Sequence, residues 1–220
     1  MKLKVTSLRH ETKNTLSILF EKPKGFAFYP GQYLDIELPI KDPLETTRIF
    51  SLSSSPSEDF LMITYNLGIT PYKQQLRRLQ PGDIIKSSHP AGTVVIDDSS
   101  PLVMIAGGVG IAPHRSMLKW AVDRQLDLPI TLIYSSSDEI IFKKELDLWQ
   151  KQLPSLTIHY IITSKNGRLN QTKLATIVEH FGNQIFYLAG PPGLVDDFEN
   201  ILLNLRVDSV NIRTDRFDGY

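Results

Sequence analysis

The densest chemical signal in the chain is Gly107-Gly108-Val109-Gly110-Ile111-Ala112-Pro113, set directly after the apolar run Leu102–Ala106 and just before a helical stretch, Ser116–Val122. Glycines let a backbone approach a pyrophosphate that side chains would hold off, and a helix N-terminus offers free N–H groups and partial positive charge. Pro113 suits the first helical turn, where its missing N–H costs little. The spacing is not G-x-G-x-x-G, but strand, glycine loop and helix in that order point to nucleotide phosphate binding rather than a merely tight turn. A second glycine-bearing turn, Ala189-Gly190-Pro191-Pro192-Gly193, follows Ile185–Leu188 and precedes an amphipathic helix. Alone it would serve equally as a packing device. Two such turns on one edge of a parallel sheet describe a crevice.

Other chemistries are excluded or unsupported. The chain of 220 residues has no cysteine, which rules out disulfides, Cys-ligated zinc, a Cys-held iron–sulfur cluster and a catalytic thiol. The histidines show no metal-ligand spacing, and His114, just past the glycine loop, reads as a capping or surface residue. No G-x-S-x-G elbow is present. Asp97-Asp98 reads as linker rather than as a carboxylate pair. Lys+Arg and Asp+Glu both number 24, so the chain lacks the basic surplus of a nucleic-acid or acidic-membrane binder. No apolar run approaches a membrane span, and no apolar signal core follows Met1, so a cytoplasmic location is expected.

The elements that must position these residues fall into two halves with different patterns. In the first, Lys2–Arg9, Thr15–Glu21, Gln32–Leu38, Thr47–Leu52, Phe60–Tyr65, Asp83–Lys86 and Thr93–Ile96 read as strands separated by Pro- and Gly-bearing turns. Leu34, Ile36 and Leu38 alternate with Tyr33, Asp35 and Glu37, the period of a half-buried strand. Only Tyr72–Leu79 reads as helix. Many short strands with regular turns suggest a small antiparallel barrel. The pattern changes near Asp97-Asp98-Ser99-Ser100-Pro101. Beyond it, the apolar run Leu102–Ala106 and strands at Ile130–Tyr134, Thr157–Ile162, Ile185–Leu188 and Val207–Ile212 alternate with amphipathic helices. That is the βαβ pattern of an open parallel sheet. The expected division is a first domain over 1–97 and a second over 98–220.

Several motifs in this order resemble the ferredoxin–NADP(+) reductase superfamily, in particular its small bacterial FAD- and NAD(P)-binding oxidoreductases and flavin reductases. Pro30-Gly31-Gln32-Tyr33 resembles the family's entry to a barrel strand, and Arg48-Ile49-Phe50-Ser51 its flavin motif. Pro90-Ala91-Gly92 is similar to its P-x-G, Gly107–Pro113 to G-G-x-G-[IL]-[TA]-P, and Ala189–Gly193 to C-G-P-P with the cysteine replaced. Phe217-Asp218-Gly219-Tyr220 resembles an ending that places an aromatic beside the flavin.

The resemblance implies a six-stranded antiparallel FAD-binding barrel followed by an α/β nucleotide-binding domain. It implies that Arg48 pairs with the flavin pyrophosphate and Phe50 stacks on the ring beside Ile49. Ser51 then bonds near the reactive edge, with Thr70, Pro90 and Gly92 nearby. Thr70 would look the same as a simple helix cap. Nicotinamide nucleotide would lie over Gly107, Gly108, Gly110, Ile111 and Pro113, with Gly190, Pro191 and Pro192 near its ring. Tyr220 would gate the flavin face, or be a frayed tail; Ser51 and Tyr220 are the expected catalytic residues. Asp215 and Asp218 read as solvated carboxylates. Ser135 and Arg168 are the candidates for a 2′-phosphate, while Asp138 would repel one, so NADH and NADPH both remain open. The expected activity is hydride transfer from NAD(P)H to FAD and onward to a flavodoxin, ferredoxin, oxygenase component or free flavin. Because Ala189 replaces the family's cysteine, a non-enzymatic flavin- or nucleotide-binding module, or an electron-transfer subunit of a larger complex, stands as the alternative.

Overall fold

The first half of the chain builds its core from alternating strands. The computed structural model describes residues 1–40 and 46–217. Strands β1 (Lys2–Thr12), β2 (Thr15–Glu21), β3 (Tyr33–Glu37), β4 (Thr47–Ser51), β5 (Phe60–Asn66) and β6 (Ile84–Ser87) form one six-stranded sheet in the order β4-β3-β6-β1-β2-β5. Its pairings are antiparallel, and a Leu52–Ile63 bridge joins the two ends into a barrel. Leu34, Ile36 and Leu38 point inward as their alternation requires, packing with Phe20, Phe50 and Tyr72. Helix α1 (Pro71–Arg78) lies across this core, with Tyr72 and Leu76 buried; Thr70 caps its N-terminus by accepting the Lys73 N–H.

The second half obeys the other pattern. Strands β7 (Leu102–Gly107), β8 (Ile130–Ser136), β9 (Leu156–Ile162), β10 (Ile185–Gly190) and β11 (Ile212–Arg216) form a parallel sheet in the order β11-β10-β7-β8-β9. Every residue of β7 and β10 is buried, as continuous apolar strands covered on both faces must be. Helices α2 (Ile111–Asp123) and α3 (Lys143–Gln152) cover one face, and α5 (Gln171–Ile177) and α6 (Pro192–Asn204) the other. A short helix, α4 (Thr163–Asn166), follows β9. The strand order reverses between β7 and β10, which opens a crevice at their carboxyl ends.

Two expected strands are corrected. Thr93–Ile96 pairs with no strand. Val94 and Ile96 instead pack against the core of the second domain, and the Val95 carbonyl accepts from Tyr187 Oη at 2.9 Å. Burial at the domain seam outweighs the β propensity of this segment. The strand expected at Val207–Ile212 begins only at Ile212. Arg206 takes a positive φ of 62° to end the helical segment, and a 3₁₀ turn over Ser209–Asn211, capped by Asp208, delays entry to the sheet.

Candidate functional site

The two glycine turns meet because β7 and β10 are neighbours in register, with Ala189 opposite Ala106. The approach is so close that a Cβ on Gly110 would lie 2.2 Å from the Ala189 carbonyl oxygen, and one on Gly190 would lie 3.0 Å from the Gly107 oxygen. Gly110 is therefore required by packing. Gly108 differs: it sits at φ +53°, and a Cβ there would meet nothing within 4 Å. It faces an open groove of about 780 Å³ bordered by Gly107, Gly108, Ser135, Pro191 and Leu194. The loop continues through a 3₁₀ turn, Gly108–Gly110, straight into α2, so this helix begins at Ile111 rather than at the expected Ser116. Tyr134 Oη donates to the Gly108 carbonyl at 2.9 Å and fixes the loop from β8. Burial raises the pKa of this phenol, which stays a donor. Pro113 and Ile111 are buried supports rather than groove walls.

Ser135 and Arg168 come together as expected. Both border a neighbouring cavity of about 390 Å³ that shares Ser135, Pro191 and Leu194 with the main groove. Asp138 also lines the main groove. Pro191 is the N-cap of α6 and Pro192 its first residue, so this helix starts at the groove.

The barrel presents the end of β4 to the same region. Arg48 lies with its guanidinium 5.0 Å from the centre of the Tyr72 ring. The Phe50 ring stacks on Tyr72 at 6.1 Å, and Tyr72 Oη donates to the Ile36 carbonyl. Ile49, between them, points out from the barrel and is half exposed. Ser51 pairs with Tyr33, which in turn bridges to Ala91, so Pro90 and Gly92 sit beside the start of β3. Gly92 is at φ +104°, and a Cβ there would press on the Tyr33 ring at 3.0 Å. Tyr220 and Asp218 lie outside the described residues.

Sequence reasoning misplaced or missed three groups. Asp215 is not a solvated carboxylate. It sits on β11 opposite Ala189 and accepts a hydrogen bond from Ser51 Oγ at 3.1 Å across the domain seam. Burial raises its pKa and the Ser51 hydroxyl opposes that shift. His114 is neither a cap nor a surface residue: it is 1% exposed, and burial holds its pKa down to about 3.

Arg115 was missed altogether. It is 1% exposed, donates to Glu58 through two nitrogens (2.9 and 3.1 Å), to Glu145 (2.7 Å) and to the Ser53 carbonyl (2.7 Å). The Phe142 and Trp149 rings flank it at 5.2 and 5.3 Å. Ser116 Oγ adds a bond to the Ser54 carbonyl at 2.6 Å. The run Leu52–Ser55 after the flavin-like motif is thus a docking strip for α2. Arg115 follows Pro113 by two residues, so the only signal in the sequence was its place directly after the glycine loop. Among the described residues no His/Cys/Asp/Glu group could hold a metal ion, and no helix is long and apolar enough to cross a membrane.

Comparison with known proteins places this architecture. Residues 104–200 match the family model described as the oxidoreductase NAD-binding domain. The chain is 26% identical over 210 residues to an NADPH oxidoreductase of Mycobacterium tuberculosis, covering 90% of this chain and 55% of that protein. It is 24% identical to a glycine betaine monooxygenase reductase subunit of Chromohalobacter salexigens, covering 92% of this chain and 60% of that one. It therefore spans little more than half the length of these relatives. Among solved structures, the FAD/NAD-binding domain of a nitric oxide dioxygenase from Vibrio cholerae superposes with a TM-score of 0.86 at 22% identity, covering 98% of both chains. A ferredoxin-NADP+ reductase from Plasmodium falciparum superposes at 0.81 and 19% identity, covering 98% of this chain and 95% of that one. The barrel, the parallel sheet and the paired glycine turns give the chain the two-domain fold of these structures, and its second half matches the oxidoreductase NAD-binding domain.

Proposed function

We propose that this chain is an FAD-dependent oxidoreductase that takes hydride from NAD(P)H and passes electrons to a separate acceptor, with residues 1–97 as the flavin domain and 98–220 as the nucleotide domain. The observation that carries this reading is the convergence of three strand ends on one seam: β4 at Ser51, β10 at Ala189–Gly190 and β11 at Asp215. A nucleotide fits the groove because its floor has no side chain at Gly108 and a helix starts from it. A flavin fits the barrel side, where β4 carries the Arg48 guanidinium and the Ser51 hydroxyl with Phe50 buried beneath them.

When bound together, the two cofactors supply transfer of two electrons and one proton, as hydride, from the dihydronicotinamide to the isoalloxazine. The chain's own residues do the rest. Arg48 neutralises pyrophosphate charge through its planar fork, held in orientation by the Tyr72 ring. Phe50, 4% exposed and stacked on the buried Tyr72, backs the flavin side from within the barrel core instead of presenting the open stacking face the sequence suggested. Ser51 holds its hydroxyl at the reactive edge, and Asp215, accepting from it, sets its direction. Gly107–Gly110 and Gly190–Pro192 align the nucleotide so that the reacting groups meet at the seam, where positioning supplies much of the rate. Tyr220 completes this reading as a movable cover. Ser135 and Arg168 face the adenosine end, and the acceptor is of the class that relatives' names give, an oxygenase component.

Anaerobic titration of the flavin-loaded protein with NADH and with NADPH tests the proposal. Bleaching of the oxidised flavin band by either one is the expected result. A yellow protein that neither nucleotide bleaches would defeat the catalytic reading. A colourless protein that takes up no FAD would favour the binding-module alternative.

A further inference from the structure

We propose that Lys13, at the turn between β1 and β2 of the barrel, is a second-domain-facing binding residue that neutralises the coenzyme pyrophosphate from the side opposite the glycine loop. This inference rests on the nucleotide-binding reading above. The groove of about 780 Å³ has two walls: Gly107 and Gly108 belong to the parallel-sheet domain, whereas Lys13 and Asn14 belong to the barrel. Among the described residues that line it, Lys13 is the only cation, and Asp138 and Glu139 contribute two carboxylates. A dinucleotide brings two negative charges into that space. The α2 N-terminus offers only about half an elementary charge, concentrated at the first turn. A cation on the opposite wall is what the charge balance lacks, and Lys13 stands there.

The turn is built to hold a position. The Lys13 backbone N–H donates to Glu139 Oε2 at 3.1 Å, tying the barrel turn to the second domain and engaging the nearer carboxylate. Leu67 N–H donates to the Asn14 carbonyl at 2.9 Å, and Thr15 Oγ1 bonds Asn66 Oδ1 at 3.1 Å, so β5 braces the turn from behind. Opposite, Gly108 leaves open space where a Cβ would be. A flexible ammonium on a fixed base, above a floor without side chains, suits a phosphate as a point charge. The coenzyme then touches both domains through its phosphates as well as through its ring.

Calorimetric titration of the flavin-loaded protein with NAD+ and with NADP+, at low and at moderate salt, tests this. Lys13→Gln should weaken the better-bound nucleotide about tenfold at low salt, the loss of one partly solvated charge contact. It should also flatten the salt dependence. Lys13→Arg should restore most of the affinity, and Lys24→Gln, on a different surface, should change neither. Wild-type affinity in Lys13→Gln would overturn the inference. So would a loss with unchanged salt dependence that Lys13→Arg does not rescue, since that marks a structural turn only. If the wild-type protein binds neither nucleotide, the nucleotide-binding reading itself falls, and this inference with it.

Discussion

Arg115 and Asp215 both carry ionisable groups across the boundary between barrel and parallel sheet, and the protein treats them in opposite ways. Arg115 is saturated: two carboxylates, a carbonyl and two aromatic rings surround it. Burial alone would lower its pKa, but the hydrogen bonds and charges of Glu58 and Glu145 reverse that and hold it above the ordinary value. Asp215 accepts a hydrogen bond from the Ser51 hydroxyl and has a pKa pushed up by burial. A charge fully matched in this way fixes how two domains sit. A partly buried carboxyl at the seam, bonded to a hydroxyl of the other domain, has the perturbed titration common at functional sites instead. The two crossings divide the labour: one sets the angle of the domains, and the other lies where the angle matters.

Removing the saturated side should cost most. Arg115→Ala leaves the largely buried Glu58 side chain without its cation and Glu145 with only Arg9, and should lower unfolding free energy by about 3–5 kcal/mol. A chemical denaturation midpoint measures it. Arg115→Lys should lose less but not recover fully, because a point charge cannot serve both carboxylates in the same plane. If Arg115→Ala matches wild type, Arg115 does not fix how the two domains sit.

The same contrast recurs inside the glycine loop, on a smaller scale. Gly110→Ala drives a Cβ into the Ala189 carbonyl and should destabilise the fold by about 1–3 kcal/mol. Gly108→Ala enters open space and should cost only about 1 kcal/mol, from its left-handed φ, while narrowing the groove. Its signature is weaker nucleotide binding with a nearly intact melting curve.

Smaller effects come from pH. His114 has a folded-state value near 3 against an ordinary 6.5, so its contribution is present above pH 6.5 and is lost as pH falls toward 3. His114→Leu should flatten stability across that acid window. Asp215 works the other way. Its folded pKa is raised, so its contribution is present below the ordinary carboxylate value of 3.8 and is lost as pH climbs through the raised value. Asp215→Asn should therefore be slightly more stable than wild type at neutral pH and show less pH dependence between 3.8 and the raised value. Denaturation series at several pH values separate the two groups by sign.

How much of this was legible beforehand follows the range of each interaction. Alternation in β3, the unbroken apolar β7 and the helical stripe of α6 are local patterns, and each element formed where its pattern lay. Both glycine turns were visible for the same reason: a backbone that must come close needs residues without side chains, wherever the partner is. Val94 and Ile96 misled because a β-branched apolar segment looks identical whether it pairs with a strand or covers a neighbouring domain. The start of β11 was hidden by a cap and a positive φ that no periodicity announces.

The residues by themselves determined two domains of different grammar, a phosphate-suited loop and the absence of thiol chemistry. Tertiary structure alone decided that Ser51 meets Asp215, 164 positions away, that Arg115 reaches Glu58 across 57, and that Lys13 lines the same groove as the glycine loop. Charge and hydroxyl side chains carry no address in their own neighbourhood. Their partners are chosen by how two separately folded cores bury their shared face.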